Sequence, residues 1–262
     1  MIRFAAVLLL AATLDAAETV ITLRETPVPV VTGFGEEIFP EAWRGGQVAA
    51  SGGMLPAQRR EVSLRVMDAA LTKYPAEVLR EHLHMVYLLG ELRYHGVITS
   101  GTNSKTSVYV KIGSPEKGFT PRHNEGVFHA EFSSILIRNR PEFLDQAAWK
   151  AANPPGFTYL GNGVDAVRQG KARTKLDDKL NACGFLSEYG QSTLENDFNG
   201  FAARLWTGDA MLWKLASQHS SIQRKLSLVL RFYQQLHPRL DEKHFRQLIT
   251  GGDVRSAEQV AD

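Results

Sequence analysis

A histidine, a carboxylate and two hydroxyls fall within one short apolar stretch, Phe128-His129-Ala130-Glu131-Phe132-Ser133-Ser134-Ile135-Leu136. Such groups can bind a metal ion, move a proton or exchange hydrogen bonds, and helical phase decides which of them act together. At about 100° per residue, Ala130, Glu131 and Ser134 lie within roughly a third of a turn of one another. His129 lies nearly opposite that group and shares the other flank of the apolar stripe with Ser133. Glu131 with Ser134 is therefore the face expected to look into a pocket. The plainer role for Glu131 is a helix acid paired with Arg138 or a lysine.

Zinc hydrolases of the H-E-x-x-H type hold their ion between two imidazoles four residues apart on one helix face, and the intervening glutamate polarises the bound water. The five residues in that frame here are Ala130-Glu131-Phe132-Ser133-Ser134, so the glutamate is kept and both histidine positions are not. A strand-like run at Ser107–Ile112, this helix, and a later helix beginning Glu195-Asn196-Asp197-Phe198-Asn199 follow one another in the chain. In that order, and in the motifs E-F-S-S and E-N-D-F-N, the chain resembles the gluzincin branch of the zincin metallopeptidases. More narrowly it resembles a group of secreted bacterial metallopeptidases, from about Pro75 to Tyr233.

The resemblance implies an α+β, mostly helical zincin-like domain with a small sheet whose edge strand flanks the active-site helix. It implies that Glu131 is the general base and that the strand Val108–Ile112 is the edge that takes an extended peptide or protein substrate. It also implies that an acid of the downstream helix completes a zinc site, with Glu195 the first choice and Asp197 the second. His129 or Ser134 would have to supply a further ligand, and for His129 the helix would have to begin after it. That is a poor set for zinc, which favours imidazole nitrogen and thiolate sulfur. Tyr159 and Tyr189 are candidates for an oxyanion-stabilising phenol at the cleft, with core packing as their plainer role. For Glu195 the competing role is a plain helix start, favoured by the macrodipole and capped by Ser192 or Thr193. The expected function is thus metallopeptidase-like with a degenerate zinc site, either active or a pseudoenzyme. The alternative is a non-catalytic module that holds an extended peptide or a glycan, and a third reading has the cleft filled and the role structural.

The elements around these residues follow from periodicity. Short strands are expected at Val20–Leu23 and Val28–Val31, with Pro27 and Pro29 confining the second to an edge. Helices are expected over Pro56–Leu71 and Ala76–Tyr94, the latter with a wide apolar face bearing His82 and His84 in structural or surface roles. Gly96–Ser100 and Ser107–Ile112 read as strands joined by a polar turn, Gly101-Thr102-Asn103-Ser104. The central helix is expected to begin near Glu125–Val127, leaving His123 in an exposed entry loop. Pro141 opens another helix to Ala152, and a glycine-rich loop running to Gly170 could cover a cleft. The last third is helical, over Leu194–Trp206, Asp209–Gln218, Ile222–Leu236 and Asp241–Leu248.

Composition narrows the classes. At 262 residues with 44% hydrophobic and 22% charged residues, the chain is globular and long enough for a large core. A net charge of +2 gives no argument for nucleic acid or a membrane surface as partner. Cys183 is the one cysteine, which excludes an intramolecular disulfide and a thiolate zinc site; a buried apolar role is expected for it. Neither a G-x-S-x-G elbow nor a phosphate-cradling glycine motif is present. Met1-Ile2-Arg3, the apolar run Phe4–Leu14 and the small Ala16 and Ala17 read as a signal peptide over residues 1–17, implying a secreted or periplasmic protein without a lipid anchor. Residues 18–262 then form a single domain, with an extended segment over 18–55 and a flexible tail over 251–262.

Overall fold

The computed structural model describes residues 19–22, 26–32 and 35–249. The signal-peptide segment and the tail from 251 lie outside the described residues. The fold is α+β, as expected. Its strands are β1 (Thr19–Thr22), β2 (Pro29–Thr32), β3 (Ser51–Gly53), β4 (Met85–Leu89), β5 (Glu91–Tyr94), β6 (Val97–Ile98), β7 (Gly101–Asn103) and β8 (Ser107–Lys111). Its helices are α1 (Ala57–Leu71), α2 (Ala76–His82), α3 (Pro121–Asn139), α4 (Gln146–Ala151), α5 (Gly163–Arg168), α6 (Asp178–Ala182), α7 (Leu194–Trp206), α8 (Ala210–Gln218) and α9 (Ser220–Leu236), and a further helix spans 242–249. Among the described residues no helix is long and apolar enough to cross a membrane.

The main sheet has the order β1-β2-β4-β8-β7, parallel through β2, β4 and β8 and antiparallel at both margins. Alternation along the strands sorts its two faces. Val86, Leu88, Val108 and Val110 face a core built with the helices. Tyr87, Leu89 and Tyr109 face a second cluster with Ile38, Phe39 and Leu92, beside the small sheet β3-β5-β6. Tyr87 and Tyr109 are register partners whose rings stack at 4.8 Å, and the Tyr109 hydroxyl donates to the Ile38 carbonyl at 2.8 Å.

Three expectations about this region are corrected. The helix expected over Ala76–Tyr94 stops at His82, and the residues after it form β4 and β5. A central parallel strand buried on both faces reads as an apolar run, without the alternation that would separate it from a buried helix. The expected peptide-binding edge, Val108–Ile112, is interior: β8 lies between β4 and β7. The edge on this side of the sheet is β7, whose Gly101-Thr102-Asn103 has the composition of a turn, and β1 forms the opposite edge.

α3 begins earlier than expected, at Pro121, because Thr120 caps it by accepting from the His123 amide at 3.2 Å and proline suits the first turn. His123 is thus helical and half-buried. Pro141 opens a single 3₁₀ turn, and α4 starts afresh at the cap Asp145. The glycine-rich stretch contains α5, capped by Asn162. Cys183 is exposed, at the end of the short helix α6, rather than buried.

α3 and α7 run antiparallel beside one another, since Gly126 lies near Ala203, Ser134 bonds Asn199, and Arg138 bonds Glu195. Their shared apolar faces hold Phe128, Phe132, Ile135 and Leu136 against Phe198, Phe201 and Leu205, all inaccessible to solvent. Each such phenylalanine contributes about 1.5–3 kcal/mol over an exposed one, which fixes both helices for the polar residues between them.

Candidate functional site

The flank of α3 that carries Glu131 and Ser134 opens on a cleft of about 870 Å³. β7 and the preceding residues from Thr99 form one wall, α3 and α7 the floor, and α5 with Tyr189 the far side. Glu131, Ser134 and Glu195, the three residues expected to converge if the zincin analogy holds, all line it.

Glu131 keeps part of its surface open to the cleft, yet the surrounding protein withholds enough water to raise its carboxyl to about 7. The negative charge of Glu195 adds to that rise, and the Asn103 side-chain amide, which donates to Glu131 Oε2 at 2.5 Å, opposes it. Arg138 ties these groups together. It donates to Glu195 Oε1 at 2.9 Å, to the Asn103 side-chain carbonyl, and to the Ser104 carbonyl at 3.1 Å. The expected pairing of Arg138 with Glu131 is therefore indirect, through Asn103. Burial and the nearby Glu131 charge lift the Tyr189 phenol, also in the cleft, to about 12.

β7 approaches α3 so closely that a Cβ at Gly101 would stand 2.6 Å from Val127 Cγ1 and 2.8 Å from the Glu131 side chain. Only glycine fits there. Lys111 donates to the Ser100 carbonyl at 2.8 Å and Ser104 donates to the Ser107 carbonyl at 2.9 Å, which sets the alternation of the β7–β8 ladder. Thr102 then bonds inward to its register partner Tyr109, and the backbone groups of Gly101 and Asn103 point outward from the sheet edge. The Gly101 carbonyl receives the Thr99 hydroxyl at 2.9 Å.

His129 lies on the opposite flank, as helical phase requires. It is fully buried, stacked on Trp206, with Nδ1 bonded to the Tyr74 hydroxyl at 2.9 Å and Nε2 3.4 Å from Glu125. Burial lowers the imidazole to about 4, against the pull of Glu125, so it is neutral near pH 7. Burial alone would raise Glu125, but the His129 and Lys73 contacts outweigh it and hold that carboxylate at about 2. Its charge partner near neutrality is Lys73.

Asp197 and Tyr159 also lie away from the cleft lining. Asp197, 1% exposed, pairs with the buried Lys225 at 2.7 Å and accepts from Trp149 at 3.0 Å and Tyr159 at 2.9 Å. Burial pushes Asp197 up and Lys225 down, and their mutual attraction resists both shifts. The Tyr159 phenol is raised by burial and by Asp197, so it stays a neutral donor that anchors its loop to α7.

The donor set does not fit a zinc ion. The two histidine positions are a methyl group at Ala130 and a hydroxyl at Ser134, whose Oγ accepts from Asn199 Nδ2 at 2.7 Å. Glu195 is engaged by Arg138. Among the described residues no three His, Cys, Asp or Glu side chains are grouped so as to hold a metal. Sequence reasoning missed Asn103, because a contact across 28 residues to a segment with turn composition leaves no local signal. Comparisons with protein-family models, curated proteins and solved structures gave no match.

Proposed function

We propose that this is an exported zincin-like protein whose cleft holds an extended peptide or protein segment along β7, without a zinc-dependent cutting step. The observation that carries the reading is the β7 edge, which turns the backbone groups of Gly101 and Asn103 outward at the wall of a cleft lined by Glu131. A strand edge whose outward groups are unpaired but for the Thr99 bond to the Gly101 carbonyl matches the alternating donors and acceptors of another extended chain, a repeat that a glycan lacks. The chain order of edge strand, Glu131 helix and acidic helix, together with the convergence of Glu131, Ser134 and Glu195, supports the family likeness. Export rests on the character of residues 1–17.

The test is equilibrium binding of labelled extended peptides to the full chain in excess chelator. Binding without cleavage, unchanged by chelator, is the expected result. Stoichiometric zinc uptake that is lost in Glu195→Ala would overturn the reading in favour of a metallopeptidase. A second reading is favoured by one observation, the Glu131 carboxyl near 7, which suits proton transfer at neutral pH. It requires metal-independent turnover with a pH profile breaking near 7, abolished in Glu131→Gln.

A further inference from the structure

The charged side chains that line the cleft sort by sign along its length. At one end Asp209 gathers two guanidinium groups, with Arg204 Nη1 2.6 Å from its Oδ2 and Arg122 Nη2 3.9 Å from its Oδ1. His123, also at that end, is held neutral near pH 7 by burial. At the other end stand Glu131 and Glu195, served by one guanidinium: Arg138 pairs with Glu195 at 2.9 Å and reaches Glu131 only through Asn103. Two arginines against one acid leave an excess positive charge at the first end. Two acids against one arginine leave an excess negative charge at the second once Glu131 is ionised.

Both excess charges are open to a ligand. The Arg122 side chain is 58% exposed, and its one ion contact is the long one to Asp209. Glu131 is part-open to the cleft, and among the described residues its one hydrogen bond is that from Asn103 to Oε2, which leaves Oε1 without a donor. The two residues lie nine positions apart on α3, about 13.5 Å along its axis at the helical rise. β7 runs in the same sense beside them, since Gly101 lies against Val127 and Glu131 while Asn103 bonds Glu131 and Arg138. A chain extended along β7 advances about 3.4 Å per residue, so four residues carry it from one charge to the other. Strand residues four apart share a face, so both of their side chains can turn to the cleft floor together.

We propose that the cleft selects extended peptide segments with a basic and an acidic residue four positions apart, the basic side chain meeting Glu131 and the acidic one Arg122. The proposal rests on the peptide reading above and deepens it by naming the class of segment. A segment with like charges at the two positions gains at one end and is repelled at the other.

The probes are end-blocked nonapeptides of one uncharged sequence with Lys and Glu, Glu and Lys, Lys and Lys, Glu and Glu, or Gln and Gln at the third and seventh positions. They are titrated into the full chain at pH 8, where Glu131 is ionised. The mixed-charge peptide whose order matches the bound chain direction should bind about fivefold tighter than the Gln peptide, as for two part-exposed ion pairs. High salt should remove that advantage, and so should moving the second charge by one position, which turns it to the other face. Arg122→Glu should pass the advantage to the Lys and Lys peptide, a gain that a misfolded variant could not give. Glu131→Gln should remove only the part owed to the basic residue. Equal affinity for the five peptides, or a mixed-charge advantage that survives Arg122→Glu, would overturn the proposal. Peptides that slow amide exchange along β7 whatever their charges would overturn it and leave the peptide reading standing. Failure of all five to pair with β7 would sink both.

Discussion

The two flanks of α3 carry similar chemistry in opposite states. On the core side, the polar side-chain atoms of His129 and Ser133 are closed by Tyr74, Glu125 and Tyr233. On the cleft side, Glu131 is part-open and pushed toward neutrality, and Ser134 accepts from Asn199 Nδ2. The first flank is packed into the core, and the second borders the cleft in which we propose the peptide lies. A histidine is therefore no guide to where the chemistry of this helix lies.

Substitutions on the two flanks should separate the roles. The largest effect is expected for His129→Ala, which leaves a cavity under Trp206 and strips Tyr74 and Glu125 of a partner. Denaturant unfolding should show a loss of about 3–4 kcal/mol, and peptide binding by the folded fraction should be unchanged.

Next is Glu131→Gln. The folded Glu131 carboxyl sits at about 7, above its ordinary value of 4.5, so the native state holds more protons than the unfolded state between those pH values. Stability of the unsubstituted protein should fall as pH rises through that window, by about 2 kcal/mol after allowing for part-exposure. Glu131→Gln should flatten that slope and leave the protein more stable at pH 8, read from melts across pH 5–8. An unchanged slope would place Glu131 in open water.

The adjacent serines give the closest contrast. Ser133→Ala should cost about 1–2 kcal/mol, because Tyr233 loses its buried partner. Ser134→Ala should cost about 1 kcal/mol, because the buried Asn199 Nδ2 loses its acceptor, and it differs from Ser133→Ala in lying at the cleft rather than in the core. Gly200→Ala should raise stability by up to about 1 kcal/mol, since the added methyl meets open space in mid-helix.

The phase of α3 was legible from periodicity alone, and so was α7, whose bounds match the expected Leu194–Trp206. Capping and a 3.6-residue stripe are local signals, and both helices have them. β4 was not legible, because both of its faces pack on apolar clusters and Met85-Val86-Tyr87-Leu88-Leu89 lacks the apolar–polar alternation that marks a strand. β7 was hidden for the converse reason: Gly101, Thr102 and Asn103 are turn formers held extended by their pairing with β8. With β7 misread, Asn103 and the edge it belongs to were missed, and the edge role fell on β8. Residues two apart on a helix point in different directions, and the Lys225 contact shows that Asp197 is the acid of α7 turned inward.

Amide hydrogen exchange along β7, with and without an extended peptide, tests the central claim most directly. The outward N–H groups of Gly101 and Asn103 should exchange quickly in the free protein and slow at least tenfold when peptide is bound. The Thr102 N–H, already paired with β8, should be protected in both states. Peptide binding that leaves the Gly101 and Asn103 exchange rates unchanged would contradict the account.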